Sequence, residues 1–314
     1  MIARLTRSLA VRLALTLAVT AALVARIDLR ASAVALLRLD PWAALAVLAL
    51  LALDRATMVW RWIVLLVSTG AAVSRKSAAY IYLVSSFVGG FLPAGVGADA
   101  ARAYSLSRRT AQGGEAVASV AVDRLLGFLS IVVMGMVGVT IAGRTSLGDP
   151  RASLSALAAL VVAGGAAMLW ADLWVRSVLP RGWHERRLGR LVLRVADALA
   201  VYRGHRAALA QVAALSVAVQ LLRILQAYVL GRGIGIDVPF SYYLLFMPVG
   251  LVALMLPISI AGFGVPQSII VWLLQPRGVP APDSFALSTL IVLTGLAGNL
   301  PGAWLYLRAR RAGH

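Results

Sequence analysis

Apolar segments separated by short arginine-bearing connections make up most of the chain. A helix that crosses a bilayer needs about 20 mostly apolar residues. Segments of this kind occupy residues 42–69, 115–142, 154–175, 207–230 and 284–307. A shorter apolar stretch at 13–25 follows N-terminal arginines, and we interpret it as a retained first helix rather than a cleaved signal peptide.

Two further apolar segments, 78–92 and 242–256, end at a Leu-Pro pair that is followed by glycines. Proline lacks a backbone donor, so the sequences FLPAGVGADAARAYSL and MLPISIAGFGVPQS cannot continue a lipid-facing helix. Pro93 and Pro257 are the predicted helix breaks, and each broken segment is expected to re-enter and leave by one face. The pattern predicts an all-α polytopic membrane protein with about six full spans and two re-entrant hairpins.

The composition agrees with a membrane protein. Of the 314 residues, 61% are hydrophobic and 13% are charged, whereas roughly 25% are charged in an average soluble domain. The formal charge is +18, and 29 of the 30 basic residues are arginine. Basic chains often bind nucleic acid, but these arginines lie at the ends of apolar segments, where they set membrane orientation. With no cysteine and only three histidines, all in basic polar segments, we expect no metal site and no cofactor.

The predicted topology distributes the basic residues unequally between the two faces. It places 19 on the side of both termini, 7 on the opposite side, and the other four within spans at Arg55, Arg61, Arg124 and Arg223. The positive-inside rule then makes both termini cytoplasmic, in a bacterial-type inner membrane. The polar stretch 176–206 holds eight of the arginines and fits equally well a basic amphipathic helix on the inner leaflet or a linker.

Two parts of the chain share an order of features. Arg61 precedes Leu92-Pro93 by about the same distance that separates Arg223 from Leu256-Pro257, and glycines follow each proline, at Gly95 and Gly97 and at Gly262 and Gly264. This order predicts repeat halves at 42–142 and 207–307 within one transmembrane domain, 1–314. Because the two hairpins would enter from opposite faces, the repeats would be inverted, as in many transporters.

Four ordered motifs also resemble a known family. RWIVLLV, FLPAGVGADAARAYSL, EAVASVAVDRLLG and LPISIAGFGVPQS resemble the transmembrane region of lysylphosphatidylglycerol synthases, over roughly residues 61–302. Members of that family that are fused to a cytoplasmic aminoacyl transferase domain use the membrane part to move the modified lipid to the outer leaflet. The 314 residues hold no such transferase domain, so the resemblance implies flippase-like activity and not lipid aminoacylation.

The sequence departs from the family pattern at three places. A glutamate is usual in the family where this chain has Gln267, and a Glu-Arg pair is common where it has Asp123-Arg124. An arginine is also frequent in the last span, near Thr294 of this sequence. If these groups couple transport to protons or ions in relatives, that coupling does not carry over to this protein from the resemblance alone.

Arginines within spans are the best candidates for a binding site. An arginine at the bilayer centre costs about 2.5 to 3.5 kcal/mol on insertion scales, and its planar guanidinium can hold a phosphate through two parallel hydrogen bonds. The same fork holds carboxylates, so internal pairing with Asp54, Asp99 or Asp123 is the alternative. If the glycine breaks open short helices, their free N–H groups would attract an anion too, although glycines that only permit tight turns explain the breaks as well. The predicted headgroup site consists of Arg61, Arg124, Arg223, Gly95, Gly97, Asp99, Gly262, Gly264 and Gln267.

These features favour a lipid flippase or transporter for an anionic lipid, either one with a phosphate headgroup such as a polyprenyl phosphate or an aminoacylated one. An enzyme is a weaker reading: a membrane-embedded transferase would use Asp99 or Asp123 as base, yet no intramembrane histidine or serine-histidine pair occurs. A third possibility is a non-catalytic partner for a separate cytoplasmic enzyme, docked on 176–206.

Overall fold

Every regular element that the structure describes is a helix. The computed structural model describes residues 28–90, 96–109, 113–142, 150–180, 182, 187–255 and 265–311. In chain order the α-helices are α1 (Leu29–Leu37), α2 (Pro41–Ser68), α3 (Arg75–Gly90), α4 (Val96–Ser107), α5 (Gly113–Ala142), α6 (Pro150–Leu169), α7 (Ala171–Val178), α8 (Arg187–Val201), α9 (Arg206–Gly233), α10 (Phe240–Met255), α11 (Val265–Leu274), α12 (Ala281–Ala297) and α13 (Leu300–Arg311).

Four stretches within the described residues are long and apolar enough to cross a membrane. They are Pro41–Ser68, Glu115–Ile141, Arg206–Gly233 and Ala281–Arg311, and a bent helix pair raises the number to five if it counts as one span. These five correspond to the five long spans predicted from the sequence, while the predicted first helix at 13–25 lies outside the described residues. The chain is an all-α polytopic membrane protein.

Local sequence sets the ends of α2. The Asp40 side chain accepts a hydrogen bond from the Ala43 amide, and Pro41 occupies the first helical position, where a missing N–H costs nothing. The helix ends at Ser68 with Thr69 as its C-cap, and the next residue, Gly70, has a φ of 72°, a backbone conformation that residues with a side chain rarely adopt. Residues at both ends therefore fix the length of this span.

The span predicted at 154–175 is divided in the structure. Trp170 separates α6 from α7, and the axes of the two helices differ by 79°. A sharp turn of this size was not predicted, because the apolar run continues through it without proline. One helix, α1, was also missed: its N-cap is Asp28, which accepts hydrogen bonds from the amides of Arg30 and Ala31.

Two apolar clusters hold the helices together. One surrounds α9, α10 and α12 and includes the fully buried side chains of Tyr243, Phe246 and Leu287. The other joins α2, α3 and α5 around Trp62 and Val122. Helix α9 packs along α2 and so connects the two clusters.

Glycines allow two pairs of helices to approach closely. A Cβ at Gly138 of α5 would overlap the backbone carbonyl of Leu244 in α10, and a Cβ at Gly302 of α13 would overlap that of Leu83 in α3. Small residues at such contacts are typical of helix packing in membranes.

The described helices form two series whose lengths follow nearly the same order. Helices α2, α3, α4 and α5 have 28, 16, 12 and 30 residues. Helices α9, α10 and α11 have 28, 16 and 10 residues, and the stretch Ala281–Arg311 that follows has 31. In each series the break between the second and third helix lies outside the described residues, at 91–95 and at 256–264. The inverted relation of the two series and the re-entrant course of the breaks stay predictions.

Candidate functional site

Helix α2 carries three charged side chains into the interior of the helix bundle. Asp54 is 2% exposed and Arg61 is 4% exposed, and Arg55 follows Asp54 directly. Charges at this depth are expensive unless they have partners. The partners lie on three other helices, α5, α9 and α12.

Asp123 of α5 is the centre of this arrangement. Its Oδ1 accepts a hydrogen bond from Nε of Arg61 at 2.7 Å, and its Oδ2 lies 3.0 Å from Nη1 of Arg102. Arg61 also donates from Nη1 to Oγ of Ser216 on α9, at 3.1 Å. One buried carboxylate thus connects α2, α4 and α5, and through Arg61 it reaches α9.

From the sequence Arg102 was counted among the 19 basic residues of the predicted cytoplasmic face, but the structure buries its side chain within the helix bundle. The residue is 4% exposed, and its guanidinium carbon lies 5.1 Å from the ring centre of Trp62 and 4.8 Å from that of Tyr82. Its Nη2 donates to Oδ1 of Asp99 at 3.0 Å, a pairing that the spacing of three residues on one helix could have indicated. Without Arg102 the basic residues on the predicted cytoplasmic face fall from 19 to 18.

Arg124 is the least enclosed of the predicted arginines. Its Nη1 lies 3.4 Å from Oδ2 of Asp99, and its side chain is 41% exposed. Asp99 is in the first turn of α4, which begins at Val96, directly after the first glycine break.

Arg223 joins the two long helices α2 and α9. Its Nε donates to Oδ1 of Asp54 at 3.2 Å, and its Nη2 lies 3.0 Å from Sδ of Met58. Asp54 therefore pairs across helices and not with Arg61 on its own helix, although the two share one face.

Arg55 is a site residue to which sequence reasoning gave no role. Its Nη2 donates to the carbonyl of Gly295 at 3.1 Å, and its Nε lies 3.8 Å from Oδ2 of Asp54. A Cβ at Gly298 would overlap the guanidinium, so that glycine leaves room for it. The family often has an arginine near Thr294, and here Arg55 brings a guanidinium to the same stretch of α12 from the neighbouring helix.

Together these residues form what we call the arginine–aspartate cluster. It contains five arginines and three aspartates: Arg55, Arg61, Arg102, Arg124, Arg223, Asp54, Asp99 and Asp123. All three sequence-predicted arginines and the predicted Asp99 belong to it. Among the described residues the cluster has two more positive than negative charges.

Gln267, the last predicted site residue in the described part, is buried and unpartnered. It lies in the first turn of α11 and is 1% exposed, and among the described residues neither its Oε1 nor its Nε2 has a hydrogen-bond partner. By contrast, Nε2 of the equally buried Gln220 donates to the Gly127 carbonyl and to Oγ of Ser130, both at 3.3 Å. A buried amide without partners is costly, so Gln267 is a position where a ligand could supply them.

The glycines and prolines of the two breaks are mostly outside the described residues. This applies to Pro93, Gly95, Pro257, Gly262 and Gly264. Gly97 is described and is buried within α4. Helix α11 begins at Val265, directly after the second break, as α4 does after the first.

Comparison with known proteins identifies the family. The sequence profile described as the lysylphosphatidylglycerol synthase TM region matches residues 9–302. The chain belongs to this family. Membership links the protein to the modification or transport of membrane lipids and implies that it interacts with such lipids. No curated protein matches the chain.

Proposed function

We propose that this family member is a transporter that moves an anionic lipid across a bacterial-type inner membrane. The observation that carries the proposal is the arginine–aspartate cluster, in which arginines outnumber aspartates and six of the eight charged residues lie within candidate membrane-crossing helices, the other two, Asp99 and Arg102, being on α4. Arginines placed in a bilayer are expensive, and such residues commonly mark substrate pathways.

The lipid headgroup would bind where an arginine can exchange its aspartate partner for the phosphate of the lipid. A guanidinium forms the same forked hydrogen bonds with a phosphate as with a carboxylate. A phosphate that approaches Arg61 or Arg223 can therefore replace Asp123 or Asp54 without leaving either arginine unpaired. Arg124, with its half-exposed side chain, would meet the headgroup first.

The ends of the broken segments would complete the site. We assign to it Gly97 and Asp99 at the start of α4 and Gln267 at the start of α11, together with Gly95, Gly262 and Gly264. Helix starts offer free N–H groups to an anion, and the unpartnered Gln267 amide supplies a further donor and acceptor. Pro93 and Pro257 would act as the hinges of the two segments.

Contacts between α2 and α9 support an inverted repeat. Arg61 contacts Ser216 and Arg223 contacts Asp54, so each arginine meets the residue seven positions before its counterpart. A two-fold axis between two like helices produces such a reciprocal pattern. The contacts also make α2 and α9 antiparallel, as an inverted repeat requires.

Transport would follow from movement of one half against the other about this axis. The halves are those predicted, 42–142 and 207–307, and the exchange of aspartates for phosphate on Arg61 and Arg223 would loosen their contact. Both termini would be cytoplasmic, because 18 basic residues against 7 still favour that orientation.

A leaflet-reporting assay tests the proposal. Purified protein would be reconstituted into vesicles that contain a fluorescent anionic lipid or a zwitterionic lipid with the same acyl chains and fluorophore, and a membrane-impermeant quencher would report the outer leaflet. We expect faster exchange of the anionic lipid in protein-containing vesicles than in empty ones. Equal rates with and without protein would reject transport.

A further inference from the structure

The charge of the arginine–aspartate cluster restricts the headgroup. Arginine stays protonated under all physiological conditions, so the five guanidinium groups carry five positive charges against at most three negative ones. Uncompensated positive charge carries a large free-energy cost wherever protein and lipid exclude water. An anion that enters the cluster removes it.

The distances show which two arginines carry the excess positive charge. Asp54 lies 3.2 Å from Arg223 but 3.8 Å from Arg55. Asp99 lies 3.0 Å from Arg102 but 3.4 Å from Arg124. Arg55 and Arg124 are thus the second partners of carboxylates that a closer arginine already neutralises.

Free donors accompany this excess charge. Nε of Arg55 and Nε of Arg102 are buried and have no hydrogen-bond partner in the part of the chain that the structure describes. A phosphate group has three or more acceptor oxygens and can take several such donors at once. The cluster therefore lacks both negative charge and acceptors.

We infer that the transported lipid ends in a phosphate monoester or a diphosphate, whose charge near neutral pH is about −1.5 to −2 for the monoester. This inference rests on the proposed function and narrows its substrate class. A phosphodiester headgroup brings one negative charge and leaves one arginine uncompensated. An aminoacylated diester adds an ammonium group, which cancels even that charge and places a cation beside guanidinium groups.

Competition between lipids of equal chain composition tests the inference. The purified full chain would be incubated with equimolar dioleoyl phosphatidic acid, dioleoyl phosphatidylglycerol and dioleoyl phosphatidylcholine, and retained lipid would be counted by native mass spectrometry. We expect phosphatidic acid to be retained about tenfold over phosphatidylglycerol, which corresponds to about 1.4 kcal/mol. The preference should disappear in the double variant Arg55→Gln with Arg124→Gln and should persist in Arg310→Gln with Arg311→Gln, two exposed arginines outside the cluster. Arg124→Gln alone, at a half-exposed position, tests the same loss with little risk to folding and should reduce the preference.

The outcomes separate this inference from the proposed function. Equal retention of the two anionic lipids, both above phosphatidylcholine, overturns the monoester or diphosphate assignment and leaves anionic lipid transport standing. A preference for phosphatidic acid that survives in both cluster variants also overturns it, because the recognition would then lie elsewhere. Retention of neither anionic lipid above phosphatidylcholine overturns the inference together with the proposed function.

Discussion

At the scale of single residues, Asp123 is a buried carboxylate that lies between two buried arginines. Each of its carboxylate oxygens faces a different arginine, at 2.7 and 3.0 Å, and all three side chains are at most 5% exposed. Removal of the carboxylate charge would leave the buried guanidinium groups of Arg61 and Arg102 without the negative charge that they share. Removing one partner of a buried ion pair costs much more free energy than the intact pair contributes to stability, because the remaining charge stays buried without compensation.

Asp123→Asn should therefore lower the free energy of unfolding by about 3 to 5 kcal/mol, since the amide is nearly isosteric but uncharged. The measurement is denaturant titration in detergent micelles followed by tryptophan fluorescence. Asp197→Asn is the matched control, because Asp197 and its partner Arg176 are both about half exposed, and such pairs contribute less than about 1 kcal/mol. Similar effects of the two substitutions would contradict the buried arrangement.

Gln267 gives a second prediction, in which a substitution raises the free energy of unfolding instead of lowering it. Gln267→Leu removes a buried amide that has no partner within the described ranges, so it should raise the unfolding free energy of lipid-free protein by about 1 kcal/mol or more. The same change should slow transport of an anionic lipid, because a ligand would have used that amide.

Gln220→Leu is its control, since that amide donates two hydrogen bonds and its loss should destabilise the protein. A loss of stability in Gln267→Leu as large as in Gln220→Leu would show that the Gln267 amide has partners of its own.

Residue types could be predicted from the sequence, but their partners could not. Charge within apolar segments identified Arg61, Arg124 and Arg223, all of which belong to the arginine–aspartate cluster. Which aspartate each arginine meets depends on how helices rotate against one another, and no local pattern records that rotation. The burial of Arg102 was not predicted for the same reason: its charge lies near a segment end, yet α4 directs its side chain into the core.

At the scale of helices, close packing between α5 and α10 is the most testable feature. Gly138→Ala should destabilise the protein by about 1 to 3 kcal/mol, because the new methyl group would overlap the Leu244 carbonyl and backbone cannot move aside like a flexible side chain. Gly165→Ala in α6 is the control: nothing lies within 4 Å of its added Cβ, so it should stabilise the helix by roughly 0.5 to 1 kcal/mol. Unfolding titrations measure both, and equal tolerance at the two positions would mean that α5 and α10 are farther apart.

Helices α7 and α8 form an exposed apolar surface beside basic side chains. An open groove of about 400 Å³ is lined by Trp174, Val175, Val178, Leu179, Pro180 and Val192. Exposed Arg190 and Arg194 lie on α8 near Val192. Such a surface is typical of a helix that lies at a membrane interface, and it favours that reading of segment 176–206.

Spin labels can test this placement directly, because the chain has no native cysteine. A nitroxide at Val192→Cys in lipid nanodiscs should be more accessible to oxygen than to a water-soluble nickel complex, and one at Arg190→Cys should show the reverse. Equal access of nickel to both positions would place α8 away from the membrane.

Most helix positions followed from apolar periodicity and length. Helix α2 was expected at 42–69 and spans Pro41–Ser68, and α9 was expected at 207–230 and spans Arg206–Gly233. The turn at Trp170 was not predictable, since the side chains on both sides are apolar and only packing of α7 on α8 decides it. Helix α1 was missed because it has nine residues and lies between arginines.

At the scale of the whole molecule, the account rests on two helix series whose long members α2 and α9 cross antiparallel at the arginine–aspartate cluster. Charge, helix order and family membership could be obtained from the sequence. The reciprocal contacts of Arg61 and Arg223 could not, because they depend on the packing of segments about 160 residues apart. In the proposed mechanism these contacts would put the headgroup site between the two helix series.

The most direct test is lipid exchange by a variant of that junction. In the leaflet-reporting vesicle assay, Arg223→Gln should exchange the anionic lipid about tenfold more slowly than the unaltered protein, since loss of one buried charge contact costs more than about 1.4 kcal/mol. Arg310→Gln, at an exposed position on α13, should exchange it at the unaltered rate. Equal rates for Arg223→Gln and Arg310→Gln would contradict the claim that the cluster carries the lipid headgroup.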